Sequence, residues 1–368
     1  MKKLLILFLV LSLLLGGCGN APAETAPTTE VPTTEATTEP TAEPTTEPTT
    51  APTEPPVYYN PLTGEQIDAP YTGRLIASIV SNTHDAIPHA GVTQADIFFE
   101  IYASYGVVRC LALYSDVSDV EAMGSVRSTR LVFNDLADHY DAVLIHAGGS
   151  PQVRQDVADL GIDNLNLDKL YRSLSDPIAA ATGYRTPSRY SPHNLYGYGP
   201  GILEYLKAND YRVTQPEDKD YRLNFVEDGT PENGEAAAEL NFWFGKMTKD
   251  TTLIYDEELG KYIWEQYWGT IMRDEVTDEV EAFRNVLVLR ANTSASNIYQ
   301  IVDFVSGGEG YFACGGKYIP ILWGCDDEHS PLWFTTLDGE PLNLGVGNTY
   351  IGILDHKNGL EILGEKTK

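Results

Sequence analysis

ADIFFEIYASYGVVRCLALYS, residues 95–115, contains two runs of branched and aromatic residues with a glycine between them. Such runs favour β-strands and the glycine favours a tight turn, so we predict a hairpin of 95–102 with 107–115 around Gly106. Cys110 lies inside the second run and is predicted to be a buried, reduced thiol. Residues 74–80 have the same apolar, branched character and predict a third strand.

Downstream of the hairpin the apolar residues adopt helical spacing. Residues 128–140 carry an apolar stripe typical of a helix, and the short apolar run 142–146 predicts another strand. Gly148-Gly149-Ser150-Pro151 then predicts a second helix, with the serine as N-cap and the proline at its first position. A further helix is predicted from Pro200. The alternation of strands and helices indicates an α/β domain with a mixed sheet over residues 57–208.

The second half of the chain has a different character. Residues 209–239 are polar and rich in turn residues, and we predict that they connect two domains. Beyond them the sequence indicates a β-rich C-terminal domain over 240–368. Its predicted strands are 240–244, 252–255, 262–267, 285–289, 299–304 and 350–354.

The N-terminus has the pattern of a secretory signal. Lys2 and Lys3 precede an apolar run that is too short for the roughly 20 residues that a membrane span needs. The run ends in Leu15-Gly16-Gly17-Cys18, which resembles a bacterial lipobox. We therefore predict a signal peptide of residues 1–17 and lipid attachment at Cys18, which would anchor the chain on the outer face of the cell membrane. The membrane is thus one predicted partner.

The segment 18–56 differs from the rest in composition. From residue 21 onward it contains only Ala, Thr, Pro, Glu and one Val, so it cannot bury apolar surface and is predicted to be a disordered tether. Without its seven glutamates and the two signal lysines, the body carries a net charge of about −23. Such a charge argues against nucleic acid as a partner, so any anion site must be a local basic pocket.

Two short stretches together suggest such a pocket. Arg127 and Arg130 share one side of a predicted helix start, and His146 stands at the end of a predicted strand, where α/β folds place ligands. The turn Gly148-Gly149-Ser150 opens a helix and offers backbone N–H groups to an anion. The alternative is that the arginines pair with Asp135 or Asp138 and that the glycines only make a turn. Ser150 lacks the Gly-x-Ser-x-Gly context of a catalytic serine.

A second candidate is the proline-rich loop that follows residue 184. It contains Arg185, Arg189, His193 and Asn194, which could join the same anion pocket. The alternative is a surface loop in which His193 has only a structural hydrogen bond. Catalytic residues are not identified by either stretch.

Metal and cofactor binding have little basis in the sequence. The histidines are scattered without ligand spacing, and no nucleotide-binding loop is present. Asp96 and Glu100 point to one side of a predicted strand and form a possible Mg²⁺ pair; the alternatives are that this side of the strand faces solvent or that they are partners of Arg109. Pairing of Cys314 with Cys325 is left open. No cofactor is predicted, with Mg²⁺ required only by the phosphotransferase alternative below.

Several motifs, taken together, resemble the YerB-type lipoprotein family. They are residues 60–65 (NPLTGE), 94–97 (QADI), 127–130 (RSTR), 146–151 (HAGGSP), 192–196 (PHNLY) and 310–323. The resemblance spans roughly 58–355 and implies a lipoprotein with two successive domains of unknown function, without naming a reaction. The chain departs from the family at Ser125, where proline is usual, and at Glu309, where small residues are usual.

A weaker resemblance covers only about 75–165. The order of the arginine stretch, the Gly148-Gly149 turn and the following helix is similar to that of the LytR-CpsA-Psr phosphotransferases. It implies that Arg127 and Arg130 grip a lipid-linked pyrophosphate and that Asp96 helps to hold a metal. The leading prediction is a lipoprotein that binds an anionic cell-envelope ligand or partner; the alternative is a cell-wall glycopolymer phosphotransferase.

Overall fold

The computed structural model describes residues 56–104, 106–245 and 249–367. The helices are α1 (Leu131–His139), α2 (Pro151–Asp159), α3 (Leu167–Leu170), α4 (Pro177–Ala180) and α5 (Gly199–Ala208), with a 3₁₀ turn at His84–Ala86. The first strands are β1 (Tyr58–Tyr59), β2 (Gln66–Ile67), β3 (Ile76–Ser81), β4 (Ile97–Ser104), β5 (Val107–Tyr114), β6 (Met123–Gly124), β7 (Val143–His146), β8 (Asn164–Asn166), β9 (Gly183–Arg185) and β10 (Leu195–Gly197).

The strands that follow are β11 (Asn224–Val226), β12 (Glu235–Ala236), β13 (Glu239–Phe244), β14 (Lys249–Asp256), β15 (Lys261–Gln266), β16 (Thr270–Ile271), β17 (Ala282–Phe283), β18 (Asn285–Ala291), β19 (Thr293–Ser296), β20 (Tyr299–Val302), β21 (Gly308–Cys314), β22 (Lys317–Gly324), β23 (Trp333–Thr336), β24 (Asn343–Gly345), β25 (Thr349–Asp355) and β26 (Leu360–Leu363). From Pro55 onward all these elements belong to one compact unit.

A mixed sheet forms the centre of this unit, in the order β12-β22-β21-β18-β25-β4-β5-β3-β7-β8. The pairs β18–β25, β25–β4, β3–β7 and β7–β8 are parallel, and β5 is antiparallel to both β4 and β3. The strands β18, β25, β4, β3, β7 and β8 therefore run in one direction. Their carboxyl ends lie on the same edge of the sheet, which positions the site described below.

The core lies on both faces of this sheet because β4 alternates its buried side chains. Phe99 packs with Phe133 and Leu136 of α1 on one face. Phe98 packs on the other face with Trp264, which belongs to a second sheet of order β16-β15-β14-β13-β26. Each large apolar side chain buried in this way contributes about 1.5–3 kcal/mol. The central sheet is thus covered on one side by a helix and on the other by a sheet.

Local predictions from the sequence are confirmed. β4 and β5 form the predicted hairpin, and Gly106 has the left-handed φ of 77° that its turn requires. Ser150 caps α2 by accepting the N–H of Val153 at 3.3 Å, and Pro151 is the first helical residue. Cys110 is a buried free thiol, as predicted; Cys314 and Cys325, left open by the sequence, are also free.

The predicted α/β character of the N-terminal region is only partly confirmed, because the described residues are mostly β. A β-α-β unit occurs where α2 connects β7 to the parallel strand β8. The central sheet, however, also contains β18 and β25 from the second half of the chain, next to β4. The boundary at 209–239 remains a prediction, since strands from both sides of it share one sheet.

His139 is expected to make a destabilising contribution on acidification because it is buried against Phe304, with ring centroids 5.0 Å apart. Burial lowers the pKa of His139 from 6.5 to about 4. Between these values the unfolded chain binds more protons than the folded one, so the histidine costs about 2 kcal/mol of stability on going from pH 7 to pH 5. Chemical denaturation of the wild type and His139→Leu at both pH values measures this difference.

The comparison of the two proteins cancels the contributions of other titrating groups. One of them is Asp135: burial raises its pKa to about 7, so its effect on stability has the opposite sign to that of His139. An equal change of stability in wild type and variant between pH 7 and pH 5 would contradict the assignment to His139.

Candidate functional site

The segment 125–130 crosses the carboxyl edge of the central sheet between β3 and β7. The N–H of Arg127 donates to the carbonyl of Ile79 at 3.1 Å, and the carbonyl of Arg127 accepts the N–H of Ala147 at 3.0 Å. The N–H of Thr129 donates to the carbonyl of Gly148 at 3.1 Å. These bonds hold the arginine stretch against both strand ends.

Three guanidinium groups converge along this segment, and we call Arg109, Arg127 and Arg130 the arginine cluster. Arg109 and Arg130 both donate to the carbonyl of Ser128, at 2.8 and 3.3 Å. Arg130 also donates to the carbonyl of Thr129 at 2.7 Å. Two positive groups that share one carbonyl are necessarily close neighbours.

Further contacts fix the side chains of Arg130 and Arg127. Arg130 donates through Nε to the hydroxyl of Ser104 at 3.1 Å, and its guanidinium carbon lies 5.5 Å from the ring centroid of Tyr299. Arg127 donates to the carbonyl of Pro192 at 3.3 Å. All these acceptors are neutral, so none of these hydrogen bonds balances the positive charge of the guanidinium groups.

The arginine cluster has no acidic partner among the described residues, since no carboxylate there lies within 4.0 Å of it. The alternative that Arg127 and Arg130 pair with Asp135 or Asp138 is therefore not what the structure shows; Asp138 contacts His329 at 2.6 Å. Other arginines of the chain, such as Arg74 and Arg185, do pair with carboxylates. In the described part of the chain, Arg154, Arg273 and Arg290 also donate only to backbone carbonyls, so the distinctive feature of the arginine cluster is that three such arginines are neighbours.

The pKa values reflect this crowding of positive charge. The pKa of Arg109 is lowered to about 9, chiefly by burial and next by the charges of Arg130 and Arg127. Burial also lowers the pKa values of Arg130 and Arg127. A bound anion would reverse these effects because it favours the charged form of each group.

Of the predicted loop residues, the structure brings His193 to the arginine cluster. Its Nδ1 lies 3.4 Å from the hydroxyl of Ser81 at the end of β3. Its pKa is lowered by burial and next by the charge of Arg127. His193 therefore borders the same positive surface.

The other three loop residues have structural partners. Arg185 donates to the carboxylate of Asp168 at 2.6 Å and to Oδ1 of Asn194 at 2.5 Å. Arg189 donates to the carbonyls of Ala86 and Pro88, both at 2.6 Å, and pairs with Glu275 at 3.2 Å. These contacts order the loop and leave no free guanidinium for a ligand.

His146 and the glycine turn take different roles. His146 is buried, and its ring nitrogens contact the carbonyl of Gly148 at 2.8 Å and Oδ1 of Asn164 at 3.0 Å. It therefore holds the turn rather than facing a ligand. Gly148 has a φ of 81°, and within the described part of the chain no acceptor takes the N–H groups of Gly148 or Gly149.

The carboxylates proposed as a metal pair are engaged elsewhere. Asp96 accepts the N–H of Ser115 at 2.5 Å and the amide of Asn60 at 3.1 Å, and burial raises its pKa to about 6. Glu100 accepts a hydrogen bond from the ammonium group of Lys249 in a buried ion pair. Residues 56–104, 106–245 and 249–367 contain no group of three potential metal ligands.

Sequence reasoning missed Arg109, which it treated as a partner of Asp96 or Glu100. In the structure Arg109 pairs in register with Ile101, so it points to the opposite face of the sheet from Glu100. The signal was available: Arg109 is the one charged residue in the buried strand VVRCLALY, and a buried charge requires a partner. The structure places that charge beside Arg130.

The lipobox, Cys18 and most of the tether fall outside the described residues. Within the described ranges, no helix combines the length and the hydropathy needed to cross a membrane.

Comparisons with known proteins agree on one family. Residues 62–212 match the family described as "Protein of unknown function (DUF3048) N-terminal domain". Residues 239–351 match the corresponding C-terminal domain. A Bacillus subtilis (strain 168) protein named "Putative lipoprotein YerB" is 25% identical over 297 residues, which cover 80% of this chain and 85% of that protein. The crystal structure of YerB protein from Bacillus subtilis matches with a TM-score of 0.70 at 23% identity, over 82% of this chain and 99% of that one.

Proposed function

This chain belongs to the DUF3048 family of YerB-type lipoproteins, and we propose that it binds a phosphate-bearing ligand of the cell envelope through the arginine cluster, while Cys18 anchors it on the outer face of the membrane. The observation that carries this proposal is the lack of any acidic partner for Arg109, Arg127 and Arg130 among the described residues. Half-buried positive charges are costly unless they are paired.

The charge balance of the chain strengthens this argument. The protein has 53 acidic and 25 basic residues, so carboxylates outnumber the basic side chains that could pair with them. Three neighbouring arginines without a carboxylate partner indicate that a ligand supplies the negative charge. Guanidinium groups bind phosphate oxygens through strong, often bidentate hydrogen bonds, which makes phosphate the best match.

The site supports binding better than catalysis. The phosphotransferase alternative assigns a metal to Asp96, but that carboxylate is occupied by Ser115 and Asn60. Neither the family description nor the relatives name such an activity. We therefore propose a binding protein and no reaction.

Arg130→Gln is expected to weaken the binding of inorganic pyrophosphate at least tenfold, since losing one charged contact in a half-buried anion site costs on the order of 2–4 kcal/mol. Thermal stability should stay unchanged or rise, because the substitution relieves repulsion with Arg109 and Arg127. Isothermal titration calorimetry and thermal unfolding of the chain from residue 19 onward measure both quantities.

Arg212→Gln is the matched control, because Arg212 pairs with Asp141 and lies outside the arginine cluster. It should leave pyrophosphate binding unchanged. A destabilised Arg130→Gln protein with unaltered pyrophosphate affinity would show that the cluster is structural and would end the proposal.

A further inference from the structure

An amine, a carboxylate and an amide meet inside the protein, between the central sheet and the second sheet. The amine belongs to Lys249 at the start of β14, the carboxylate to Glu100 in β4, and the amide to Asn82, which directly follows β3. All three residues are buried, and Lys249 is the only lysine buried in this way among the described residues. The three groups are therefore in contact with one another and shielded from bulk water.

One oxygen of the Glu100 carboxylate connects the amine to the amide. Oε1 accepts hydrogen bonds from Nζ of Lys249 and from Nδ2 of Asn82, the latter at 2.6 Å. Two donors to one oxygen lie at most about 6 Å apart, and the amide carbon Cγ of Asn82 is one bond from Nδ2. The other oxygen, Oε2, accepts the hydroxyls of Thr251, at 2.8 Å, and of Tyr350. The carboxylate is thus fixed between the amine and the amide.

The amide of Asn82 is only half satisfied by its surroundings. Its Oδ1 is buried and has no hydrogen-bond partner within the described ranges. A buried carbonyl without a donor is destabilising, so a purely structural role does not account for this asparagine. The Tyr267 hydroxyl holds the backbone carbonyl of Asn82 at 2.8 Å, whereas Glu100 is the only partner of the amide in the described part of the chain. Rotation of the amide can therefore bring Cγ to Nζ.

Aromatic rings enclose the amine of Lys249. The centroids of Phe244, Trp264 and Tyr267 lie 5.6, 5.5 and 5.8 Å from Nζ. These rings hold the ammonium group in place and keep water away from it. Transfer of one proton from Nζ to Glu100, along their hydrogen bond, turns two buried ions into a neutral amine and a carboxylic acid. The neutral amine has a lone pair and is a nucleophile.

We propose that Lys249 and Asn82 become joined by an isopeptide bond, with Glu100 as the catalytic residue. Nζ attacks Cγ and forms the new C–N bond, after which the Cγ–Nδ2 bond breaks and Nδ2 leaves as ammonia. Of the three protons of the ammonium group, one stays on the new amide, one leaves with the ammonia and one remains on Glu100. Nothing is oxidised or reduced, and two buried charges are replaced by neutral groups.

The product also satisfies the carbonyl oxygen of Asn82. Protonated Glu100 is a hydrogen-bond donor, so it can donate to the Oδ1 that lacks a partner in the structure. The buried ion pair is the state before the reaction. The inference is independent of the proposed function, because Glu100 and Arg109 lie on opposite faces of the central sheet.

Tryptic digestion of the full-length protein, followed by mass spectrometry, tests for the bond. Trypsin cleaves after arginine and unmodified lysine, so an unreacted chain gives peptide 75–109, which contains Asn82, and a separate cut after Lys249. The reacted chain should give 75–109 joined to 247–261, with a mass below the sum of the two peptides by one ammonia, about 17 Da. Separate peptides, with a cut after Lys249 and an intact Asn82 amide, would overturn the proposal.

Lys249→Arg is the matched control, because a guanidinium group can pair with Glu100 but is not a nucleophile here. It should give no joined peptide. Glu100→Gln keeps the shape of the side chain but cannot take the proton from Nζ, so it should leave the peptides separate; a joined peptide in this variant would overturn the role of Glu100. Arg130→Gln should keep the joined peptide. Thermal stability is not the readout, since any change of Lys249 also removes the ion pair, and the wild-type digest decides even if a variant fails to fold.

Discussion

Replacing Lys249 by methionine is expected to lower the free energy of unfolding by about 3–5 kcal/mol. Lys249 forms a buried ion pair with Glu100, and the two side chains are only 3% and 0% exposed. Methionine keeps an unbranched apolar chain at this position but removes the ammonium group, whose Nζ lies 5.6 Å from the ring centroid of Phe244 and 5.5 Å from that of Trp264. Glu100 would then be an uncompensated buried carboxylate, which is among the costliest defects in a protein core.

The remaining partners of Glu100 cannot replace that charge. Asn82 and Thr251 donate to its carboxylate at 2.6 and 2.8 Å, and Tyr350 donates as well. These neutral donors satisfy the oxygens as hydrogen-bond acceptors but do not balance the negative charge. Because Thr251 comes from β14, Tyr350 from β25 and Asn82 from the end of β3, the damage should spread through both sheets.

A double-mutant cycle separates the charge from the packing. Glu100→Leu combined with Lys249→Met replaces the pair by apolar side chains and should be more stable than Lys249→Met alone. Denaturant unfolding of the wild type, both single variants and the double variant measures the coupling. If Lys249→Met cost less than about 1 kcal/mol, the pair would not be the internal charge balance that its burial indicates.

The elements that local chemistry determines could be predicted from the sequence. Ser150 and Pro151 mark the start of α2 whatever surrounds it, because capping and the fixed φ of proline act within one helical turn. The hairpin around Gly106 is similarly local. For both, the prediction and the structure agree within about two residues.

The pairing of distant strands could not be predicted from the same patterns. β25 lies between β18 and β4, although some 250 residues separate it from β4 along the chain. Its continuous apolar run, TYIGILD, is typical of a parallel strand buried on both faces, but such a run does not name its neighbours. The sequence therefore predicted separate α/β and β-rich regions, and their common sheet became visible only in the structure.

The residues of the candidate site also divide into those that local sequence identifies and those that depend on the pairing of distant strands. Arg127 and Arg130 were found because they lie three residues apart in one segment. Arg109 belongs to a strand some 20 residues upstream, and only the register of β5 with β4 shows which face of the sheet it occupies. His146 was assigned to the ligand from its place at a strand end, yet the Asn164 side chain that engages it comes from the neighbouring strand β8.

Replacing Cys18 by alanine is expected to abolish lipid attachment, because the substitution removes the thiol that would accept the diacylglyceryl group. Each buried methylene contributes about 0.8 kcal/mol to membrane binding, so two acyl chains make a durable anchor whereas one is marginal. The body cannot substitute for the anchor by electrostatic attraction, since its charge of about −23 is repelled by anionic headgroups. Labelled palmitate should therefore enter the wild type and not Cys18→Ala.

Cys110→Ala is the appropriate control, because Cys110 is a free thiol that is fully buried within β5 and inaccessible to an acyl donor. That variant should incorporate as much label as the wild type, although the small cavity it creates is expected to cost about 1 kcal/mol of stability. Label that persisted in Cys18→Ala and disappeared in Cys110→Ala would reverse the assignment. With both results as expected, a single N-terminal thiol would be responsible for holding the arginine cluster near its proposed ligand at the cell envelope.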